Sequence, residues 1–346
     1  MSISNNVTMQ QIADAAGVSK MTVSRALKDH PHQSQETKKR IREIAEKLGY
    51  HPHPYITALM SQRARAMDYK SLIALAVFYF GPEQSARRHP YFKGIANQCL
   101  ALGYKPELFH YNPSKISPER LRKILLTRGI RGIILMPALR SFESLDFDFD
   151  GFACIAMGHT ITKPQLPRVG SDIQAGVFMA LDKLVAKGYR RIALINTDSI
   201  NQMSRHLYVA NLTAYKRSTS TRLYLTDLVI PKNRPLGDRR ALIKDWLKEK
   251  KPDAVISSDF DYNIYDELVA IGISIPQDKA YVQLLSSPNS SLSQVAQLEE
   301  LMGAKAVNQV TAAINRNDLT TSQAPYLIGV APEWREGDTT PNRVRL

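Results

Sequence analysis

The chain has 346 residues, 44% of them hydrophobic, with a formal net charge of +14 and only two cysteines. That length supports several domains and one or two sizeable cores, two cysteines are too few for a disulfide-built scaffold, and no run of about 18 apolar residues could span a bilayer. The positive balance suits a polyanionic partner, but it is spread widely: residues 1–70 hold eleven Lys and Arg against six Asp and Glu, a net of +5, which leaves +9 for the remainder. The opening residues lack the basic segment and apolar stretch of a secretory signal, so a cytoplasmic location is expected, with Cys99 and Cys154 reduced inside apolar runs.

Residues 7–25, VTMQQIADAAGVSKMTVSR, read as two short amphipathic helices separated by a single glycine. Thr8 can cap the first, with Gln11 three residues on completing a capping box; Gly17 supplies the left-handed turn, and Ser19 caps the second. Ile12, Ala13, Ala16, Val18, Val23 and Leu27 form an apolar seam. Lys20, Met21, Thr22, Ser24 and Arg25 are left to project from the other side. Two helices joined by a turn of this length place the second in a major groove, which is the signature of a DNA-reading helix-turn-helix. A third helix is predicted from Gln35 to Leu48, capped by Ser34, with Ile41, Ile44, Ala45 and Leu48 inward and Lys38, Lys39, Arg40 and Arg42 on its outer side. The next stretch, YHPHPYITALMSQRAR at residues 50–65, has two prolines that end this helix and start another near Pro54.

From Ser71 onward, apolar runs alternate with helical segments. Strands are predicted at 72–80, 108–111, 132–136 and 152–157, with helices at 91–102 and 118–128 between them. The rhythm then repeats: a helix at 173–187, strands at 191–196, 223–230, 254–257 and 281–285, helices at 239–250 and 261–271, and a late helix at 292–315. Such alternation implies two doubly wound parallel sheets, an α/β core behind an all-α N-terminal domain.

Residues 7–59 closely resemble the DNA-binding headpiece of the lactose-repressor (LacI/GalR) family of bacterial transcription regulators. The resemblance is carried by Val7-Thr8, Ala16-Gly17-Val18-Ser19, Thr22-Val23-Ser24-Arg25, and Leu48-Gly49-Tyr50 with Pro52. Asp172 with Gly176, Gly188-Tyr189-Arg190-Arg191-Ile192, Lys251-Pro252-Asp253-Ala254-Val255, Ser258-Asp259 and Ile275-Pro276-Gln277-Asp278 resemble the periplasmic-binding-protein-like core that follows it.

The resemblance implies a headpiece at residues 1–52, a hinge helix and linker at 53–70 and a two-lobed effector-binding and dimerisation core at 71–346. The first lobe would comprise about 71–167 and 292–321, the second about 168–291 and 322–346, with three chain crossings. Lys20 and Met21 fall at positions that vary with operator in the family; a Lys can donate to guanine O6 and N7, a Met can meet a thymine methyl, and Arg25 can add a guanine contact. Thr8, Ser19, Thr22, Ser24, His32 and Ser34 suit phosphates. Leu59 matches the residue that wedges into the minor groove, and Ile56 lies beside it; His53 and Ile56 depart from the family's usual Asn and Ala.

Effector contacts are expected where strands end in the cleft between lobes: Phe78, Tyr79, His159, Arg205 or His206, and Asp259. Arg205 is favoured over His206 for its forked donors. Asp259 reads equally as the effector-binding acid or as the N-cap of the helix that follows.

His30-Pro31-His32 and His51-Pro52-His53 could aim paired imidazoles at a metal, yet loop histidines against phosphate are the simpler reading, and neither metal nor cofactor is expected. No Gly-x-Ser-x-Gly elbow, P-loop, Gly-x-Gly-x-x-Gly or zinc-type cysteine pairing occurs, so nothing calls for an enzyme. The expectation is therefore a repressor-type regulator that binds a pseudo-palindromic operator as a homodimer under a sugar or nucleobase effector. Residues 334–346 lack a leucine heptad, which favours the dimer over a coiled-coil tetramer. Two alternatives stand beside it: a solute-sensing module with a vestigial headpiece, and a DNA-binding regulator with a degenerate cleft and no effector.

Overall fold

A computed structural model describes residues 7, 9–27, 34–48, 72–138, 144–231, 233–258, 263–286, 289, 291–319 and 325–343. Thr8, His32, both His-Pro-His pairs, the hinge segment with Ile56 and Leu59, and Asp259 lie outside the described residues, as do the side chains of Ser24 and Arg25.

Three helices open the chain: α1 (Met9–Ala16), α2 (Lys20–Leu27) and α3 (Gln35–Lys47). They close on Ile12, Ala13, Ala16, Val23, Ala26, Ile41 and Ala45, with Val18, Leu27 and Ile44 packed at the margin. Gly17 has φ +65°, its N–H bonds to Asp14 O, and the next N–H, of Val18, reaches back to Ala13 O at 3.0 Å. This pair of bonds caps α1 and turns the chain into α2. The Arg40 guanidinium donates to Ala16 O at 3.0 Å, taking up another carbonyl at the end of α1.

Two assignments within α3 are corrected. Lys38, expected on the outer side, is 3% exposed. It stands three residues before Ile41 and seven before Ala45, and the 3.6-residue period brings it onto their face, where its methylene stem packs. Leu48, expected inward, is 40% exposed because it is the C-cap, past the last turn.

After the headpiece come β1 (Ile73–Tyr79), α4 (Glu83–Arg88), α5 (Pro90–Ala101), β2 (Tyr104–His110), α6 (Pro118–Thr127), β3 (Gly132–Leu135), β4 (Ala153–Met157) and β5 (Arg168–Ser171). Then follow α7 (Ile173–Ala186), β6 (Arg191–Thr197), α8 (Asp198–Met203), α9 (Leu207–Ser218), β7 (Tyr224–Ile230), α10 (Leu236–Lys250), β8 (Ala254–Ser257) and α11 (Ile264–Ala270). The chain ends with β9 (Ala280–Gln283), β10 (Ser293–Ala296), α12 (Glu299–Arg316), β11 (Leu327–Val330) and β12 (Glu333–Arg335).

The first sheet has the order β2-β1-β3-β4-β5-β11 and the second β7-β6-β8-β9-β10-β12. The plan is the same in both, with the second strand to one side of the first, the next three to the other, and one late strand at the far edge. Pairing is parallel at β1–β2, β1–β3, β4–β5 and β5–β11, and at β6–β7, β6–β8, β8–β9 and β9–β10. The sheets differ at the late edge, where β12 joins β10 antiparallel.

The expected alternation of strands and helices is present, but short strands move the crossings. Residues 168–171 and 327–330, assigned from sequence to the second lobe, are strands of the first sheet. Residues 293–296, taken as the start of the late helix, form β10 in the second sheet, and α12 begins only at Glu299. By mutual contact the described residues fall into two compact units, one within 1–136, 146–155 and 303–324, the other within 137–145, 156–302 and 325–346.

In the first unit an aromatic cluster forms around Phe78, with Phe147 edge-on at 5.2 Å, Tyr111 stacked at 6.1 Å and Phe109 at 6.5 Å between ring centroids. In the second, the strands are apolar on both faces, as a sheet covered on both sides requires. Ile192 and Leu194 of β6 join Ala254 and Ile256 of β8 against Val177, Leu181, Leu212 and Tyr215 of α7 and α9. The intervening Ala193, Ile195 and Val255 point into a different core with Ile243, Leu247, Ile264 and Leu268 of α10 and α11. Period-two alternation sorts neighbouring residues into separate cores.

The quoted core motifs have structural work in this unit. The Asp253 carboxylate accepts from the N–H groups of Arg190 at 3.1 Å and Arg191 at 3.0 Å and from the Arg343 guanidinium at 2.8 Å. Tyr189 donates its hydroxyl to Pro341 O, and Lys187 donates to Thr340 O. Residues 338–343 are thus tied along the start of β6 and β8. Asp172 caps α7 by accepting from Ala175 N at 2.9 Å, and a Cβ at Gly176 would touch Val295 and Pro332, each at 3.4 Å.

Candidate nucleic-acid interface and effector site

Ser19 Oγ accepts from Thr22 N at 3.1 Å and pairs with Thr22 Oγ1 at 2.9 Å, so α2 begins with an Ncap bond. Val23 and Ala26 turn into the core. The first turn therefore presents Lys20 and Met21 outward. Met21 is 62% exposed, a large apolar side chain in water with no fold role on that face. Ser34 Oγ accepts from Thr37 N at 3.2 Å at the start of α3. The arrangement is two capped helix N-termini, whose unpaired N–H groups and positive dipole ends favour anions, and an ammonium and a thioether on the exposed first turn of the second helix.

The expected effector residues fare unequally. Phe78 has no exposed surface to offer a ligand, being enclosed by the aromatic cluster. Tyr79 is buried, stacks on His110 at 4.9 Å and directs its hydroxyl towards Glu83 at 3.5 Å; burial, then the Glu83 charge, raise its pKa. These two belong to the first unit.

His159, Arg168 and Arg205 belong to the second unit and act on one another there. Arg168 donates to Gly158 O at 3.1 Å and to Ile161 O at 3.0 Å, which grips the loop on both sides of His159. The imidazole lies over β5: a Cβ built on Gly170 would stand 3.3 Å from its Nε2. That Nε2 is buried and has no hydrogen-bond partner. Burial chiefly lowers the His159 pKa, followed by the charges of Arg168 and Arg205, while a hydrogen bond with the Ser171 backbone opposes them. Arg168 is lowered by burial and then by Arg205.

Arg205 and His206 are consecutive non-glycine residues in the left-handed region, with φ +54° and +62°. Such backbone costs of order 1–3 kcal/mol per residue and persists only where the surroundings enforce it. Here the enforcement is visible. His206 N donates to Asn201 O at 2.7 Å, the His206 ring pairs with Asn201 Nδ2 at 2.8 Å, and α9 starts directly after. The turn leaves Arg205 exposed while its neighbours Ser204 and Tyr208 are buried.

Sequence reasoning missed Arg168, Asn196, Tyr208 and Ser258. Ser258 donates to Asn196 Oδ1 through both its N–H and its hydroxyl, each at 2.9 Å, and so joins the ends of β6 and β8 where the strand order reverses. Asn196 Nδ2 is buried without a partner. Burial pushes the Tyr208 phenol up to about 12, opposed by its bond with Ser258. A small pocket borders this region, with Ser171, Asp172, Tyr208 and Gln297 on its polar side. Asn196 at the end of an apolar strand was the one available signal; Arg168 gave none, because β5 is four residues long.

Among the described residues no group of three His, Cys, Asp or Glu side chains could hold a metal, and no helix is long and apolar enough to cross a membrane. Cys99 and Cys154 are free, and burial raises both thiols, Cys99 to about 12.

Residues 8–53 match the family model of bacterial regulatory proteins, lacI family. The chain is similar to the HTH-type transcriptional regulator MalR of Streptococcus pneumoniae, 25% identical over 335 residues that cover 90% of this chain and 94% of the relative. Catabolite control protein A of Priestia megaterium is 24% identical, with 93% and 98% covered. Among solved structures, the complex of the transcriptional regulator CelR with cellobiose superposes with a TM-score of 0.55 at 20% identity, covering 96% of this chain and all of that one. The lac repressor dimer bound to operator and the anti-inducer ONPF gives 0.56 at 15% identity, covering 97% and 100%. These last two establish a shared fold.

Proposed function

We infer that this chain is a regulator of the lacI family: a sequence-specific DNA-binding transcription regulator that acts as a homodimer on a pseudo-palindromic operator and answers to a small-molecule effector. The observation that carries the reading is the first turn of α2, where a Ser19-capped N-terminus presents Lys20 and Met21 to solvent from a helix held by Val23 and Ala26 on its other face. A helix so presented enters a major groove N-terminus first. Lys20 donates to guanine acceptors, Met21 meets a thymine methyl, Arg25 adds a guanine contact, and Thr8, Ser19, Thr22, Ser24, His32 and Ser34 meet phosphates. Ile56 and Leu59 of the hinge enter the minor groove. The relatives are named regulators, and this chain is read as one of them, in the cytoplasm and without catalytic activity of its own.

Repression fits this architecture. An effector that prefers one arrangement of the core shifts the population of dimers able to pair two headpieces on one operator. The CelR and lac repressor structures hold cellobiose and a named anti-inducer. By analogy the effector here is of the sugar class, with Tyr79, His159, Arg205 and Asp259 as its contacts.

The test is selection of binding sites from random duplex, followed by titration of the selected site and a scrambled duplex at several salt concentrations. A two-fold-symmetric consensus should emerge and be bound about 1,000-fold or more tightly than the scrambled duplex. Equal affinity for both would reject the reading.

A further inference from the structure

We propose that the effector carries an anionic group, a phosphate or a carboxylate, and that His159, Arg168 and Arg205 form its subsite. The inference rests on the reading of this chain as an effector-controlled regulator and adds the chemical class of the effector.

Three observations converge. His159 has a buried Nε2 with no hydrogen-bond partner, and a buried ring nitrogen without a partner is costly unless something else meets it. Arg168, committed by two donors to the carbonyls on either side of His159, brings a fixed positive charge to the same loop and cannot swing away to solvent. Arg205 is held out by a strained backbone pair, and its side chain makes no ion pair and no hydrogen bond. The charges that reach His159 are both positive. The nearby Asp172 is occupied as the cap of α7.

Gathering like charges without a counter-ion destabilises the folded chain. An anion removes that repulsion and gains charge-assisted hydrogen bonds, the strongest kind available to a small ligand. A neutral sugar offers hydroxyl acceptors but leaves the repulsion in place. Arg205, exposed at the edge of the cluster, is the forked donor for the anionic oxygens, and His159 supplies a second bond once its ring turns from Gly170.

The experiment is thermal unfolding of the full chain at one fixed ionic strength with glucose, glucose 6-phosphate, gluconate and inorganic phosphate, in wild type, Arg205→Gln and Arg205→Lys. The expected result is stabilisation by one or more of the anions and none by glucose. Arg205→Gln should weaken the effective anion about tenfold or more, as loss of a charged hydrogen bond implies, and Arg205→Lys should retain part of the effect. Stabilisation by glucose 6-phosphate but not gluconate assigns a phosphate, and the reverse assigns a carboxylate. Three outcomes would overturn the proposal: glucose acting as strongly as its phosphate ester, an undiminished anion effect in Arg205→Gln, which would put the anion on the headpiece, or no shift with any anion. Operator titration of the same wild-type protein separates failures. Specific operator binding without an anion effect defeats this inference alone, and loss of operator discrimination defeats the regulatory reading beneath it.

Discussion

In the headpiece, the side chains offered for recognition stand on the outside of a helix whose stability comes from its other face; in the second unit, those offered to an effector are gripped by the backbone around them. Lys20 and Met21 touch nothing that holds α1, α2 and α3 together. Arg168 anchors a loop by two bonds, and Arg205 sits on two left-handed residues tied to Asn201. Sequence preference can therefore be rewritten at little cost in stability. Ligand preference is coupled to the fold, so substitutions there should move stability and binding together.

Four substitutions would break or sharpen that contrast. The largest expected effect is Ile41→Ala, which opens a cavity in a seven-residue headpiece core and should cost about 2–5 kcal/mol. Operator binding should vanish while the melting transition of the larger core stays in place; joint melting of both would show that the two are not separable. Next is Asp253→Asn, which weakens three bonds at once and should cost about 1–3 kcal/mol in the core transition, with the headpiece untouched.

Ser19→Ala removes the cap of α2 and should cost about 1 kcal/mol, read as weaker binding to every duplex in proportion to headpiece unfolding. The smallest stability effect belongs to Lys20→Ala and Met21→Ala, within about 0.5 kcal/mol of wild type, yet these two should alter the selected consensus at one base pair per half-site. A consensus identical to that of wild type would remove Lys20 and Met21 from readout.

What the sequence made legible follows from how strongly each element is signalled. The headpiece helices are announced by chemistry at both ends: Ser19 and Ser34 cap as expected, and Gly17 takes the left-handed turn. The long strands β1 and β6 are continuous apolar runs and were placed within one or two residues. The strands that set the crossings, β5, β10, β11 and β12, are three or four residues long, too short for a period to register. Leu292, Val295 and Leu298 have the spacing of a helix face, which is why β10 read as the start of α12. Burial of all four β10 residues settles the matter as a covered strand.

Within the candidate site, single residues with a role by type, His159 and Arg205, could be named from their places after apolar runs. Arg168 could not, because its partners are backbone carbonyls, and hydrogen bonds to backbone leave no mark on the sequence of the partner. Lys38 was misplaced for a related reason: residue type argued for solvent, while helical period put its stem against Ile41 and Ala45.

The late edge strands have a consequence for biosynthesis. The first sheet is incomplete until residues 327–330 have emerged, and the second until 333–335 arrive with the tail that clasps Lys187 and Asp253. On a ribosome adding residues at about 5–20 per second, the three N-terminal helices are exposed many seconds before either sheet can close. A nascent chain of this protein thus acquires its DNA-facing surface well ahead of the parts that would regulate it.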